Sequence, residues 1–405
     1  MIYVSVLGYG TIGSGVVEVL STNQESIDKR AGQPIRLKYV LDLRNFPGSP
    51  IEDKLVHDYS IIANDPEVQV VVETMGGVHP AYEFVKEALE KGKSVCTSNK
   101  ELVAAHGAEL LALAKEKNVN FLFEASVGGG IPIIRPLNQC LTADEIEEIT
   151  GILNGTTNYI LTKMTEEGSE FETVLKDAQD KGYAERNPEA DVEGYDACRK
   201  IAILTSLAYG MQVDYQDIYT EGITKITDVD IKYAKAMNAA IKIFGTSRKV
   251  DGKVYAMVSP MMINQNSPLY SVNDVFNAIF VRGNVLGDVM FYGRGAGKLP
   301  TASAVVADVV DAVKHMGKNI MTIWSTKKLE LASIDEASHR FFVRLSGEKA
   351  ANESAVAGLF GDVEEVTAEG VTGEYAFITK EMTEKAFKDP SLKLPSMVSR
   401  IRVNF

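Results

Sequence analysis

The chain is poor in the residues that staple small folds or hold metals. Its 405 residues include three cysteines and five histidines. Cys96, Cys140 and Cys198 are odd in number and widely spaced, which excludes a disulfide framework or a regular zinc site and fits reduced, buried thiols. His57, His79, His106, His315 and His339 are dispersed without metal-ligand spacing and read as structural or surface residues. Positive charge is in deficit: the formal net charge is −13, the opposite of what a nucleic-acid surface needs. No apolar run approaches the ~18–20 residues that span a bilayer. The opening residues lack a basic region ahead of an apolar stretch, so no signal peptide and a cytoplasmic location are expected. There are no internal repeats and no low-complexity tracts. Apolar residues make up 45% of the chain, enough for large cores in about two to three domains.

The most informative stretch is the opening MIYVSVLGYGTIGSG. The apolar run Ile2 to Leu7 ends in Gly8-x-Gly10-x-x-Gly13 and passes into the helix-like VVEVL. Strand, glycine turn and helix in that order suit a dinucleotide. Gly8 permits the tight turn, Gly10 lets backbone N–H groups approach a pyrophosphate, and Gly13 lets helix and strand pack closely. The helix N-terminus adds partial positive charge toward the phosphates.

Residues 1–130 go on alternating strands (LKYVLDL, VQVVVETMG, SVCTSN, NFLFEASVG) with helices (PAYEFVKEALEKG, KELVAAHGAELLALAKEKN). That alternation predicts a Rossmann-type, doubly wound parallel sheet with right-handed crossovers. Residues 131–297 read as a second, α+β domain. It contains a strand, polar turn and helix start in IEEITGILNGTTNYIL, a helix around 228–244, and β-rich KVYAMVSPMMI and FNAIFVRGNVLGDVMFYG. The glycine cluster 293–297 leads into a helix capped by Thr301 or Ser303, which can return to the first domain over 298–320. From 335 to 405 the order is β-α-β-β-α-β, a ferredoxin-like unit.

Chemistry concentrates in the second domain. Glu185, Glu189, Asp191, Glu193 and Asp196 crowd one segment ahead of Lys200. Asp191 stands where a helix N-cap would fall, and Asp196 and Lys200 share a helix face at i,i+4. A solvated acidic loop with a surface ion pair of about 0.3–0.5 kcal/mol would have the same composition. Upstream, Gly155-Thr156-Thr157-Asn158 offers small polar groups without bulk. Carboxylates beside a lysine suit a substrate with an ammonium group and an oxygen to be protonated, and a partly buried lysine can serve as general acid or base. Lys100 follows strand SVCTSN, at the carboxyl end where open α/β sheets bind ligands. Thr74-Met75-Gly76-Gly77 leaves room for a cofactor ring. The bend EASVGGGI, from Glu124 to Ile131, has carbonyls and one carboxylate that could hold a hard cation; an ordinary glycine turn would read the same.

Taken together, GYGTIGSGV, ETMGG, TSNKE, EASVGGGIPII, GILNGTTNYIL, DVEGYDACRKIAIL and GRGAGKLPTASAVVADVV resemble homoserine dehydrogenases, in the family's order over residues 1–318. The resemblance implies NAD(P)-dependent interconversion of L-aspartate 4-semialdehyde and L-homoserine, on the route to threonine, isoleucine and methionine. It implies Lys200 as the acid–base group, with Lys100 a second candidate. Glu185, Asp191 and Asp196 would hold the substrate, with Gly155 and Thr156 lining the pocket. Gly8, Gly10, Thr11, Ile12, Gly13, Asp42, Arg44, Thr74, Met75, Gly76, Ser98, Lys100 and Gly297 would face the cofactor. A monovalent cation, sodium in the family, would sit on Glu124, Val127, Gly129 and Ile131. A different two-domain oxidoreductase and a catalytically idle nucleotide sensor are the other readings; intact Lys100, Lys200 and Asp196 weigh against the sensor.

Two departures from the family stand out. Many relatives carry an Arg just before the Asp-Leu pair that closes the second strand; here Leu41 precedes Asp42. Asp42 can accept from a free ribose 2′-OH, which favours NAD, while Arg44 can still serve NADP. The 335–405 unit resembles an ACT domain, but SGEKAANES replaces the Asp-x-Pro-Gly-like turn that builds an effector site. It reads as a degenerate ACT-like module that pairs subunits and has lost threonine binding. A homodimer or homotetramer is expected.

Overall fold

The computed structural model describes all 405 residues. The first sheet has six parallel strands, in the spatial order Leu55–Val56, Ile35–Leu41, Ile2–Leu7, Val68–Glu73, Ser94–Thr97 and Phe121–Leu122. Strand order reverses between Ile2–Leu7 and Val68–Glu73, so the loops leaving these two strands flank a crevice at the carboxyl end of the sheet. The helices include Thr11–Thr22, Ala81–Glu90 and Lys100–Glu116. The helix Lys298–Lys314 closes this domain from far along the sequence. Its Ala302, Val305, Val309 and Ala312 pack with Val4, Val6 and Val16 in one core. Gly15 admits it: a Cβ there would lie 2.9 Å from the Lys298 carbonyl oxygen.

The second sheet has eleven strands. Its main path runs Gly287–Arg294, Phe276–Gly283, Ile146–Ile152, Ala239–Val250, Lys253–Asn264, Met397–Val403, Ser338–Ser346, Glu374–Ile378 and Glu364–Val366. The last four strands of that path, with helices Lys349–Phe360 and Glu384–Ser391, form the β-α-β-β-α-β unit. This unit's sheet is continuous with that of the second domain. Met397–Val403 runs parallel to Lys253–Asn264, with Met261 opposite Arg402 and Met262 opposite Val403.

Several local expectations are corrected. The helix expected over 228–244 stops at Ala236, and residues 239–250 form a central strand. Asn238 breaks the chain direction at φ +53°. AAIKIF is apolar enough to be buried as a strand or as a helix, and such short runs carry no decisive period. Strand NFLFEASVG shrinks to Phe121–Leu122 before a 3-10 turn at Glu124–Ser126. Neither Thr301 nor Ser303 caps the returning helix, which starts at Lys298 behind Gly297 with no side-chain cap. Asp191 is not an N-cap either; Gly194 precedes the helix Tyr195–Tyr209. Cys96 and Cys198 are buried as expected, but Cys140 is exposed.

Candidate active site

The cofactor crevice is built by backbone. Gly8 adopts φ +89°, a left-handed value that side chains resist. A Cβ on Gly13 would lie 1.9 Å from the Gly8 carbonyl oxygen, so only glycine lets the helix press onto the turn. Gly10 stands at the N-cap with open space around it, and exposed Thr11 begins the helix. Its N–H groups therefore stay available to a phosphate. Ile12 packs against the domain core. The Thr74 hydroxyl lies 3.0 Å from the carbonyls of both Leu7 and Gly8, tying the two loops together. Met75 leans over Gly8, Gly76 takes φ +82°, and Ser98 is half-buried behind them.

At the second strand's end, the Asp42 carboxylate accepts from the Tyr9 N–H at 2.8 Å. It also accepts from the N–H, Nε and Nη2 of Arg44, each at 2.9 Å. The Arg44 guanidinium holds this carboxyl far below the usual range despite partial burial.

The catalytic constellation forms where the two domains meet. Lys100 opens helix Lys100–Glu116 behind its Asn99 cap, while Asp196 and Lys200 lie one turn apart on Tyr195–Tyr209. Asp196 is 4% exposed, and its two oxygens are each 2.7 Å from one ammonium, Oδ1 from Lys100 Nζ and Oδ2 from Lys200 Nζ. Lys200 also donates to the Leu153 carbonyl at 2.8 Å. Burial pushes the Asp196 carboxyl up, but the two lysines outweigh it and leave it well below its ordinary value. Burial likewise works against a charged Lys100, and Asp196 overrides it, so the Lys100 pKa ends raised.

Asp191 joins this cluster without a lysine of its own. Its Oδ1 accepts from Asn154 Nδ2 at 2.7 Å, and the same amide donates to Asp196 at 2.9 Å. Burial raises the Asp191 carboxyl; Asn154 opposes that and the charge of Asp196 adds to it. Such a carboxylate gains most from an incoming cation. Asn154 is the residue that the motif reading passed over. Its Oδ1 caps helix Gly155–Glu167 by accepting from Thr157 N–H, so its amide can only face the acids. An Asn just ahead of a helix start was the available signal. Gly155 is needed for space, since a Cβ would sit 2.8 Å from the Val275 carbonyl. Thr156 donates to the Tyr183 carbonyl at 2.7 Å and anchors the loop after it. Glu185, on that loop, is exposed. Glu73, also unforeseen, is buried and shapes the cofactor side. It accepts from the Thr97 hydroxyl at 2.6 Å and from the Met75 N–H at 2.7 Å.

The bend 124–131 departs from expectation in one respect. The Glu124 carboxylate does not turn into it. Its oxygens accept the backbone N–H groups of Ile133, Ile134 and Arg135. The backbone is the better candidate for a cation. Val127, Gly129 and Ile131 are buried, and none of their carbonyls accepts any of the loop hydrogen bonds. The 293–297 segment presses on the bend, with Gly130 N–H donating to the Arg294 carbonyl at 3.1 Å. Gly297, at φ +113°, turns the chain from there into the returning helix.

Comparison with known proteins agrees with this geometry. The family profile "Homoserine dehydrogenase" matches residues 132–310, and "Homoserine dehydrogenase, NAD binding domain" matches residues 8–124. The chain is 44% identical over 319 residues to a Bacillus subtilis homoserine dehydrogenase, covering 78% of this chain and 73% of that one. It is 40% identical over 385 residues to the Mycobacterium tuberculosis enzyme, covering 92% and 87%. A crystal structure of a homoserine dehydrogenase from Thiobacillus denitrificans superposes with TM-score 0.88 at 34% identity, covering 100% of this chain and 98% of that one. No helix is long and apolar enough to cross a membrane. Profiles that match residues 8–124 and 132–310, with relatives 40–44% identical over most of the chain, establish that the chain belongs to the NAD(P)-dependent homoserine dehydrogenase family.

Proposed function

We propose that the Lys100–Asp196–Lys200 cluster is the proton-transfer centre for interconversion of L-aspartate 4-semialdehyde and L-homoserine. The observation that carries this is the sharing of one buried carboxylate by lysines from both domains. When bound, the nicotinamide supplies or takes the hydride. In aldehyde reduction, an ammonium of Lys200 or Lys100 gives a proton to the oxygen as charge develops there, and its remaining charge stabilises that oxygen. In homoserine oxidation the hydroxyl proton passes to the neutral amine. Lys200 is the stronger candidate, because Leu153 and Asp196 fix its amine from two sides. Asp191 receives the substrate's α-ammonium, since of the two acids bridged by Asn154 it alone has no lysine partner.

The cofactor fits the crevice described. Asp42 keeps its negative charge whichever way Arg44 points, so it repels a 2′-phosphate and favours NAD. A relative whose structure is described as a complex with NADPH shows that the family accommodates the phosphorylated cofactor. A monovalent cation such as sodium would be held by the carbonyls of Val127, Gly129 and Ile131 and by the backbone of Glu124. It would lock the bend against the 293–297 segment. The exposed Met290 and Tyr292 on strand Gly287–Arg294 favour pairing of two copies through the mixed sheet, as a homodimer or homotetramer. The location follows as cytoplasmic. The loop after strand Ser338–Ser346 has no proline turn and leads directly into helix Lys349–Phe360, consistent with a module that does not bind threonine.

The test follows reduced-nicotinamide absorbance with L-homoserine, separately with NAD and NADP, with and without threonine. Turnover that is faster with NAD and indifferent to threonine is expected. Folded protein without turnover on either cofactor refutes the assignment.

A further inference from the structure

The strand Met397–Val403 brings two arginines against the catalytic domain. Arg402 is 1% exposed. Its Nη1 donates to Glu221 at 2.8 Å, and its Nε and Nη2 are spent on Glu384. Arg400 Nη2 lies 3.1 Å from both Glu221 Oε2 and the Tyr219 hydroxyl, and that hydroxyl donates to Glu221 at 3.0 Å. One carboxylate of the catalytic domain is thus gripped by two guanidinium groups of the neighbouring unit. Both bonds are charge-assisted and converge on the one oxygen Oε2.

Glu221 belongs to a short segment that crosses beneath the substrate acids. Its N–H donates to the Val258 carbonyl at 2.8 Å, which pins it to the sheet. The next residue, Gly222, packs backbone on backbone: a Cβ there would be 2.2 Å from the Val192 carbonyl and 2.5 Å from Glu193 Cα. Ile223 N–H donates to that Val192 carbonyl at 2.8 Å. Just before Glu221, Thr220 touches Gly194, where a Cβ would meet its Cγ2 at 3.2 Å. The turn Val192–Gly194, which follows Asp191 directly, therefore rests on residues 220–223. That turn launches the helix of Asp196 and Lys200.

We propose that Glu221 is a positioning residue for the substrate, fixed by Arg400 and Arg402, so that the 338–403 unit sets the placement of Asp191. Glu221 touches no reacting atom. It holds the ledge on which the ammonium-binding carboxylate stands. The proposal rests on the reading of Asp191 as the ammonium site.

The test is a double-mutant cycle on the full-length protein, with kcat, both KM values and thermal unfolding measured for each variant. Glu221→Gln keeps the shape and removes the charge that the arginines grip. It is expected to raise the KM for L-homoserine about five- to thirtyfold, the middle of the range of coupling within one network, with the cofactor KM unchanged. Arg400→Met should do the same in lesser degree, and Arg400→Lys should recover most of the loss. In an Asp191→Asn background, Glu221→Gln should add nothing further to KM. If Asp191→Asn raises the homoserine KM but folded Glu221→Gln and Arg400→Met do not, the positioning role is refuted. Effects of Glu221 and Asp191 that multiply, or equal rises in both KM values, refute it too. If Asp191→Asn itself leaves the homoserine KM untouched, it is the ammonium reading that fails. Should Glu221→Gln not fold, the Arg400 pair of variants decides the question alone.

Discussion

Replacing Lys200 by alanine separates chemistry from architecture. Its amine makes two buried hydrogen bonds, to Leu153 and to Asp196, at 2.8 and 2.7 Å. Each such bond to a charged group contributes about 1.5–3 kcal/mol. The loss is tempered because Asp196 still faces Lys100 at 2.7 Å and is not left as a naked buried charge. A domain of this size should survive that cost. Turnover is another matter, for a positioned acid or base supplies about 10²–10⁴ in rate, or roughly 3–5 kcal/mol of barrier. The expected result is therefore kcat for homoserine oxidation reduced by at least about a hundredfold. Cofactor binding should be intact, since Lys200 lies outside the glycine crevice. Arginine should not rescue it, because a guanidinium does not give up its proton. The assay is reduced-nicotinamide absorbance, with cofactor affinity from fluorescence titration and folding from circular dichroism. Lys200→Ala that folds, binds cofactor and turns over within tenfold of the parent would show that the proton travels another way.

Lys100, the alternative base to Lys200, has its charged form stabilised by Asp196, so a proton path through Lys100 predicts homoserine oxidation that accelerates as pH rises into the alkaline range; Asp196→Asn should move that rise to lower pH, and a pH–rate profile checks both. Arg44→Ala frees the Asp42 carboxylate for a ribose hydroxyl, so the ratio of NAD to NADP kcat/KM should increase several-fold; a fall in that ratio would contradict the role given to Arg44. His339 is half-buried near Arg402, Arg248 and Arg400, and burial together with those charges lowers its pKa to about 4. Its folded-state pKa is thus below the unfolded value near 6.5, so the folded state loses stability as pH falls from about 6.5 to 4, by up to roughly 3 kcal/mol. Urea unfolding of His339→Leu should show a flatter pH dependence over that window.

The first domain was legible because its signals are local. Gly8, Gly10 and Gly13 serve one turn, and strand–helix alternation forces the parallel sheet. Asp196 and Lys200 could be paired from i,i+4 spacing alone. Lys100 could be placed at a strand's carboxyl end, but not against Asp196, because that contact depends on how two domains close. Glu185 could be grouped with the acids of the site from its place in the sequence, while its exposure on the loop could not be read there. Glu124 shows the same limit: a carboxylate in a glycine bend looks like a ligand until the N–H groups of residues 133–135 claim it. Strand 239–250 was hidden because a run buried on both faces loses the alternation that marks a strand.

The continuous second sheet has a consequence for how this protein is made. Strand Lys253–Asn264 finds one neighbour almost at once, in Ala239–Val250, and Tyr219–Thr220 covers Met257 and Val258 on its other flank, but the stretch of that flank at Met261 and Met262 waits for residues 397–403 to emerge from the ribosome. Until then that stretch is an open edge with unpaired backbone groups at apolar Met261 and Met262, the kind of surface that recruits strands from other nascent chains. Folding of the catalytic domain is thus coupled to late synthesis, and the yield should depend on chaperone protection during that interval. Removing residues 335–405 would make the delay permanent, so a truncated chain would report on aggregation before it reported on regulation.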